Sequence, residues 1–380
     1  MLKSFKYRLY PTGKQAKALS SQLDGHRFLY NSALAQRKEA YEVAGKGITF
    51  SEQSAGLLPK LKKENEALAP CNYSSLQQTL RRLDKAFKAF FRRVKAGEKP
   101  GYPRFKPSDR FNTVAYAILG DGCQIKDGRL YLQNVGHVKV KWHRPVAGKV
   151  KTLSVTRRNN RWYVNFAVEC EVVSLPKTGK EVGIDMGLVS FATLTDGTQI
   201  EAPKFFRKSE QLLKKAQQRL ARRKKGSMRR TEARRLVAKV HEKIANQRLD
   251  FCHKVSHSLV KSYDGFAVEN LNIKGMVKNR HLSKSISDAS WGMFLSILKS
   301  KAESAGRWYR EVAPHGTSQR CSSCGEVVKK SLAVRVHDCP YCGLSLDRDL
   351  NAALNILQLA RTGPSALAAI SAVPPRSCLL

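Results

Sequence analysis

Apolar and polar residues alternate over residues 1–10 (MLKSFKYRLY), and this period of two predicts a strand that Pro11 ends. The period then lengthens. LDGHRFLYNSALAQRKEAYEVAGKG places apolar residues at helical spacing and closes on glycine, so it predicts a helix with a C-terminal stop. SSLQQTLRRLDKAFKAFFRRVKAG predicts a second helix, with Leu76, Leu80, Leu83, Phe87 and Phe90 on one face. Arg81, Arg82, Lys85, Lys88, Arg92 and Arg93 take up much of the remaining surface. That basic face fits a solvated surface and a phosphate-binding face equally well.

PGYPRFKPS, at residues 100–108, is punctuated by proline and glycine and reads as a linker. From about residue 112 to 172 the period returns to two. DGRLYLQ, HVKVKW, VKTLSVTRR and RWYVNFAVECEV are predicted strands, with a hairpin turn at Arg158-Asn159-Asn160. Trp162, Val164, Phe166, Val168 and Cys170 fall on one face of the last. The expectation is a small antiparallel barrel. It recruits the strand at 1–10, because a lone strand is not stable, and the helical block becomes an insertion within it.

After a second linker, VSLPKTGK, the segment VGIDMGLVSFATLTDGTQI predicts a buried strand, a turn at Gly187, a second strand, an Asp196-Gly197 hairpin and a third strand. Residues 205–262 predict a long helical pair turning at KKGSMRR, which holds Arg222 and Arg223 beside it. GFAVEN predicts a short apolar strand, DASWGMFLSILKSKAESAG a helix, RWYREVAP a strand, and DRDLNAALNILQLA a final helix. Residues 363–380 are rich in Pro, Ser and Ala and are expected to form a flexible tail.

Charge narrows the function. The 380 residues hold 69 Lys and Arg against 30 Asp and Glu, a formal net charge of +39. Residues 201–250 alone carry 17 Lys and Arg against 5 Asp and Glu. Apolar residues make up 42% of the chain, which suffices for folded cores and excludes a disordered basic tail. A folded protein of such charge is matched to a polyanion, and nucleic acid is the natural one. The N-terminus has no apolar core of a secretory signal, and no run of about 18 apolar residues could span a bilayer. A cytoplasmic protein without a membrane partner is therefore expected.

Four of the nine cysteines, Cys321, Cys324, Cys339 and Cys342, form a C-x2-C-x14-C-x2-C pattern, each pair followed by glycine. Four thiolates in two tight turns suit a tetrahedral, structural Zn²⁺. His315 and His337 lie close enough in sequence to compete as ligands, but four cysteines already close the shell. The scattered Cys71, Cys123, Cys170, Cys252 and Cys378 read as reduced thiols.

Three acids stand out by position. Asp185 ends a buried strand between Gly183 and Gly187, and Glu269 ends the strand GFAVEN. Asp347 and Asp349 both fall at the start of the last helix, and Asp347 is the better N-cap candidate. A buried carboxylate is costly unless it is paired or bound to a metal. Three acids converging at strand and helix ends suit a two-Mg²⁺ phosphodiesterase site, the arrangement of an RNase H-like nuclease. No P-loop, HExxH or convincing Ser/His/Asp set accompanies them.

The motifs VGIDMGL, VENLNI, TSQRCSSCG…CPYCG and DRDLNAALNI occur in this order, with KYRLYPT at the start and SKSISDASWG between. The set resembles TnpB, the transposon-encoded RNA-guided DNA endonuclease family related to type V CRISPR effectors, over the chain to about residue 362. The resemblance implies a multidomain α/β chain with a RuvC-like nuclease core, a zinc-knuckle insertion, and a wedge β-barrel carrying a helical recognition bundle. Its expected divisions are 1–10 for the first wedge strand, 11–100 for the recognition helices and 101–178 for the wedge barrel. They continue with 179–314 for the nuclease including the basic hairpin, 315–345 for the knuckle and 346–362 for the final nuclease helix.

The resemblance also implies catalysis by Asp185, Glu269 and Asp349 with Mg²⁺, which decides for Asp349 over Asp347. It implies zinc on the four cysteines, a structured guide RNA from the transposon end, and double-stranded DNA cut beside a short adjacent motif. Phe50, Gln77 and Tyr116 mark the neighbourhoods expected to read that motif, and Arg81, Arg82, Arg222 and Arg223 are expected phosphate contacts. Two rivals are an RNA-guided DNA-binding protein that does not cut and a transposase that joins strands with the same three acids. The oligomeric state is not legible from these residues.

Overall fold

The computed structural model describes residues 1–331 and 334–362; the expected tail at 363–380 lies outside the described residues. The chain divides into two compact units, Met1–Glu171 and Val172–Leu380. Among the described residues, no helix is long and apolar enough to cross a membrane.

The first unit opens with β1 (Leu2–Tyr10) and the long α1 (Gly13–Ala44). α1 starts on a capping box between Thr12 and Gln15 and ends at Gly45, whose φ of 63° is the left-handed conformation of a glycine stop. The short α2 (Phe50–Glu52) runs through a π turn into α3 (Leu58–Glu64), and α4 (Tyr73–Lys95) follows. Leu76, Leu80, Leu83 and Phe87 form the buried face of α4, while Phe90 is half-buried.

The strands of this unit are β2 (Thr113–Tyr116), β3 (Cys123–Lys126), β4 (Arg129–Leu132), β5 (Gly136–Lys141), β6 (Lys149–Arg158) and β7 (Arg161–Glu169). They form one sheet with β1, in the order β2-β6-β7-β1-β5-β4-β3, and every pair is antiparallel. The first strand of the chain thus lies at the centre of the sheet. Asn159 and Asn160, both at positive φ, make the tight β6–β7 turn.

The expected small antiparallel barrel takes the form of one seven-stranded half-barrel sheet. Edge strands β2 and β3 do not pair with each other, and α1 and α4 pack against β2. Gln22 of α1 accepts from the Tyr116 hydroxyl on β2 and donates to the carbonyl of Gln133, just after β4. Asn72, the N-cap of α4, donates to Asp121 and Gln133. Side chains of the inserted helices satisfy groups at both edges, and the helices also cover the buried face.

The second unit is built on β8 (Glu181–Met186), β9 (Ser190–Leu194), β10 (Gln199–Glu201), β11 (Gly265–Glu269) and β12 (Trp308–Val312). Their order is β10-β9-β8-β11-β12; the first three are antiparallel, and β11 runs parallel to both β8 and β12. All five residues of β11 are buried, as expected for a parallel strand covered on both faces. The basic pair α5 (Phe205–Ala221) and α6 (Met228–Ser262) connects β10 to β11. Next come α7 (Ile273–Met276), α8 (Ser283–Ala289) and α9 (Trp291–Ser304). The expected single helix through DASWG is broken between α8 and α9 by Ser290, at φ 61°.

The faces of this sheet alternate. Val182, Ile184, Phe266 and Val268 join Phe294, Leu298 and α6 side chains in the larger core. Ala267 instead packs with Ile356, Leu357 and Ala360 of the final helix, α10 (Arg348–Thr362). The hairpin of β13 (Val336–Asp338) and β14 (Ser345–Asp347) leads directly into that helix.

Candidate active site and metal centre

Asp185 is the fifth residue of β8, and Glu269 is the last of the adjacent parallel β11. The register pairs Gly183 with Ala267 and Ile184 with Val268, so the two acids are the next positions along neighbouring strands. Because side chains alternate along a strand, Asp185 and Glu269 share the α10 face with Gly183 and Ala267. Asp349 comes from the first turn of α10. Asp347 accepts from the backbone N–H groups of Asp349 and Leu350, at 2.9 and 3.0 Å, which makes it the helix cap and leaves the Asp349 carboxyl for the cleft.

One cleft of about 380 Å³ is lined by all three acids together with Leu188, Trp291, Thr317, Arg335 and Arg348. The Asp185 carboxyl is pushed up to about 7, first by burial and then by the Glu269 and Asp349 carboxylates, against the pull of Arg348. Burial also raises Glu269, partly offset by the hydroxyl of Thr317, which donates to its Oε1. Arg348 donates to Asp349 Oδ1 from Nε at 3.2 Å and Nη2 at 3.0 Å, and Arg335 lies 3.9 Å from Oδ2. A buried acid such as Asp185, whose ionisation burial and neighbouring carboxylates oppose, is a ready cation ligand.

Thr317, Arg335 and Arg348 are members of the cleft that sequence reasoning did not single out. Arg348 lies inside DRDLNAALNI and Thr317 inside TSQRCSSCG, so motif position could have flagged both. Arg335 lies in the stretch between the cysteine pairs and carries no local signal; the loop alone brings it to the acids.

The four-cysteine cluster forms two equivalent turns. Gly325 N–H donates to Cys321 O and Gly343 N–H to Cys339 O, each at 3.0 Å. Both glycines have positive φ, 81° and 74°. All four Sγ atoms lie within 4.8 Å of one another, with Cys321–Cys342 and Cys324–Cys339 at 3.6 Å. Tetrahedral zinc with Zn–S bonds of about 2.3 Å needs sulfurs about 3.8 Å apart, so the donor set and its spacing fit that ion. Cys321 and Cys339 are buried, whereas Cys324 and Cys342 are exposed. Burial opposes ionisation of Cys321, but N–H groups of Cys324 and Ser323, with His337 and Cys342, bring its thiol down to about 6.

The expected nucleic-acid residues are scattered. Phe50 is half-buried beneath the Arg81 guanidinium, 4.5 Å from its ring centre, in a cleft of about 770 Å³ that Arg37, Lys85, Lys88 and Phe91 also line. Gln77 is half-buried and donates to Ser54 Oγ at 3.1 Å. Arg82 is exposed over the Phe111 ring. Arg222 is exposed at the end of α5; Arg223 is half-buried, and its carbonyl accepts from Arg230. Tyr116 is a correction: it is 1% exposed, and its hydroxyl is spent on Gln22, so its ring is core and presents no surface to a base.

Comparisons with known proteins agree with this layout. Residues 165–280 match the OrfB family described as "Probable transposase", and residues 291–356 match the "Cas12f1-like, TNB domain". Residues 1–46 match a family described as "Helix-turn-helix domain", although here they form one strand and one uninterrupted helix. A protein of Streptomyces pristinaespiralis named "Putative RNA-guided DNA endonuclease" is 36% identical, covering 93% of this chain and 88% of its own. InsQ of Escherichia coli K12, given the same name, is 30% identical, covering 94% and 92%. The solved structure of the mini-RNA-guided endonuclease CRISPR-Cas_phi3 shares the fold, at a TM-score of 0.52 and 10% identity over 95% of this chain and 92% of that one. With relatives this similar over nearly their whole length, the chain belongs to the TnpB (OrfB) family.

Proposed function

We propose that this chain is an RNA-guided endonuclease that cuts double-stranded DNA beside a short adjacent motif, with Asp185, Glu269 and Asp349 as its catalytic acids. The observation that carries the reading is the convergence of these three carboxylates in one cleft, where Glu269 and Asp349 oppose ionisation of Asp185. The names of the relatives supply the RNA guide and the DNA substrate. Base pairing then provides sequence specificity, and the protein provides charge, shape and reading of the adjacent motif. The guide is a structured RNA from the transposon end, and the net charge of +39 supplies its counter-ions.

Asp185, Glu269 and Asp349 would hold two Mg²⁺ ions. When bound, such ions activate the attacking water and neutralise the phosphodiester charge. The chain's own groups set the stage for that step. Thr317 fixes Glu269 through its Oε1 and leaves Oε2 to the cleft. Arg348 and Arg335 hold Asp349 from either oxygen and place positive charge where a DNA phosphate must enter. Leu188, Leu282, Trp291 and Pro314 form the apolar wall that limits water in the cleft. The basic helices α4 and α5–α6 are assigned to the RNA and heteroduplex backbones. The four cysteines hold a structural zinc that braces the loop bearing Arg335.

The test is Asp185→Ala in the purified complex with its guide. Cutting should vanish while guide RNA and target DNA still bind with wild-type affinity. Full-rate cutting by the pure variant would refute the assignment.

A further inference from the structure

We propose that Asp288 is a positioning residue of the nuclease: its carboxylate fastens α8, whose flanking residues wall the catalytic cleft, to the root of the basic hairpin α5–α6. The inference rests on the reading of that cleft as the cutting site.

α8 stands beside the acids. Leu282 precedes it, Trp291 opens the helix that follows it, and both line the cleft of Asp185, Glu269 and Asp349. A helix of seven residues is marginal by itself, so its place is set by what holds it. Its buried residues are Ile286, which joins the larger core, and Asp288, which is 6% exposed. A carboxylate buried that deeply is costly without partners.

The partners come from the hairpin. α5 starts after Lys204, at φ 49°, whose side chain makes no cap bond and has no acceptor to offer. The first N–H groups of a helix have no partner within it. Here Phe206 N–H donates to Asp288 Oδ1 at 2.9 Å, and Arg207 N–H donates to Oδ2 at 3.2 Å. α8 thus supplies, from 82 residues away, the cap that α5 lacks. Arg248 of α6 donates to the same Oδ1 from Nη2 at 2.8 Å and from Nε at 3.3 Å. Lys284 of α8 pairs with Glu210 of α5 as a second tie.

The clamp also borders the turn after Asp185. A cleft of about 290 Å³ is lined by Asp288, Lys204, Arg207 and Leu188, and Leu188 lines the catalytic cleft as well. One buried carboxylate therefore joins both helices of the hairpin to the wall of the cutting site. The three acids come from β8, β11 and α10, so Asp288 acts on the shape of the cleft and not on the acids.

The experiment uses the full-length protein, purified with the RNA expressed from its own flanking DNA. A saturating DNA target matching that RNA's tail is added with Mg²⁺, and the rate constant and amplitude of a single turnover are read for wild type, Asp288→Asn and Arg248→Lys. Asparagine keeps the size of the side chain but sets an NH₂ group against donors. Loss of folded protein lowers the amplitude and leaves the rate constant of the remainder, whereas a misplaced wall lowers the rate constant. Asp288→Asn should keep its amplitude and its binding of RNA and target, and cut about tenfold or more slowly, the lower range for such misplacement. Arg248→Lys keeps the charge but loses the second nitrogen contact. It should slow cutting in the same direction by less, and it decides the matter if Asp288→Asn does not fold. A wild-type rate constant in the folded variants, whatever the amplitude, would overturn the proposal. A wild-type protein that cuts no guided target would overturn the nuclease reading instead.

Discussion

Gly183 lies directly beneath Ala353: a Cβ on the glycine would come within 2.1 Å of the Ala353 carbonyl oxygen and 3.0 Å of Leu357 Cβ. Gly183 precedes Asp185 by two residues on the same face of β8, and Ala353 follows Asp349 by one turn of α10. The closeness of this strand and helix therefore sets the separation of the two acids. Ala267 plays the matching part on β11, two residues before Glu269.

Gly183→Ala should accordingly damage chemistry more than stability suggests. Overpacking of this kind costs about 1–3 kcal/mol, read as a lower melting temperature. The shift of α10 misplaces Asp349, and a displacement near 1 Å can cost about 100-fold in rate. Single-turnover cleavage with guide and target saturating should fall at least tenfold, about the lower range of such effects, with binding retained. A variant that melts lower but cuts at the wild-type rate would contradict this role for the glycine.

Asp185→Asn should uncouple activity from stability in the opposite direction. In metal-free buffer at pH 8 the native protein holds Asp185 ionised against burial and two neighbouring carboxylates. The unfolded chain bears no such penalty, so stability is lost as pH rises toward the folded value near 7, and the amide removes the loss. The variant should melt higher without Mg²⁺, by about 2–4 °C for each kcal/mol relieved, and lose the Mg²⁺-induced rise seen in wild type. Calorimetry with and without Mg²⁺ measures both, and a lower melting temperature in metal-free buffer would refute the repulsion.

Removing zinc should unfold locally before it affects chemistry. The cysteine turns have little apolar core: Val327, Val334 and Val336 are exposed. A strong chelator, or Cys321→Ser, should release one equivalent of metal and lower the melting temperature, as for small metal-braced folds. An unchanged melt with activity alone lost would argue for a catalytic metal at the cysteines.

His26 should make the first unit acid-sensitive. It is buried between Thr79 Oγ1, 2.7 Å from Nδ1, and Ser75 Oγ, 3.2 Å from Nε2. Burial, then Lys62, lowers its pKa to about 3. The unfolded chain takes up a proton below about 6.5, which the native ring refuses, so stability falls as pH drops from there toward 3. The slope from this one group approaches about 1.4 kcal/mol per pH unit. Denaturant melts between pH 7 and 5 should show that slope in wild type and a shallower one in His26→Asn; equal slopes would rule out the histidine as its source.

Much of this arrangement was legible in the sequence because it rests on local patterns. Strand periodicity placed Asp185 and Glu269 at strand ends, and the cysteine spacing fits the paired turns at Gly325 and Gly343. What escaped depends on long-range geometry. Arg335 reaches Asp349 only through the fold of the cysteine loop. Tyr116 is buried, and its hydroxyl donates to Gln22, 94 residues away, a partner that no local pattern announces. The packing of α1 and α4 against β2 is likewise a long-range relation that strand patterns do not encode. The cap was legible, by contrast: Asp347 reads as the better N-cap, and its bonds to the N–H groups of Asp349 and Leu350 agree.

The central claim is guided cutting, and the most direct measurement replaces the guide. The protein is purified with the RNA expressed from its own flanking DNA, the variable tail of that RNA is exchanged for a chosen sequence, and the cut sites on a plasmid bearing both targets are mapped in Mg²⁺. The account predicts double-strand cuts that move with the tail and disappear in Asp185→Ala. Cuts that stay in place whatever the tail, or that occur equally without RNA, would contradict it.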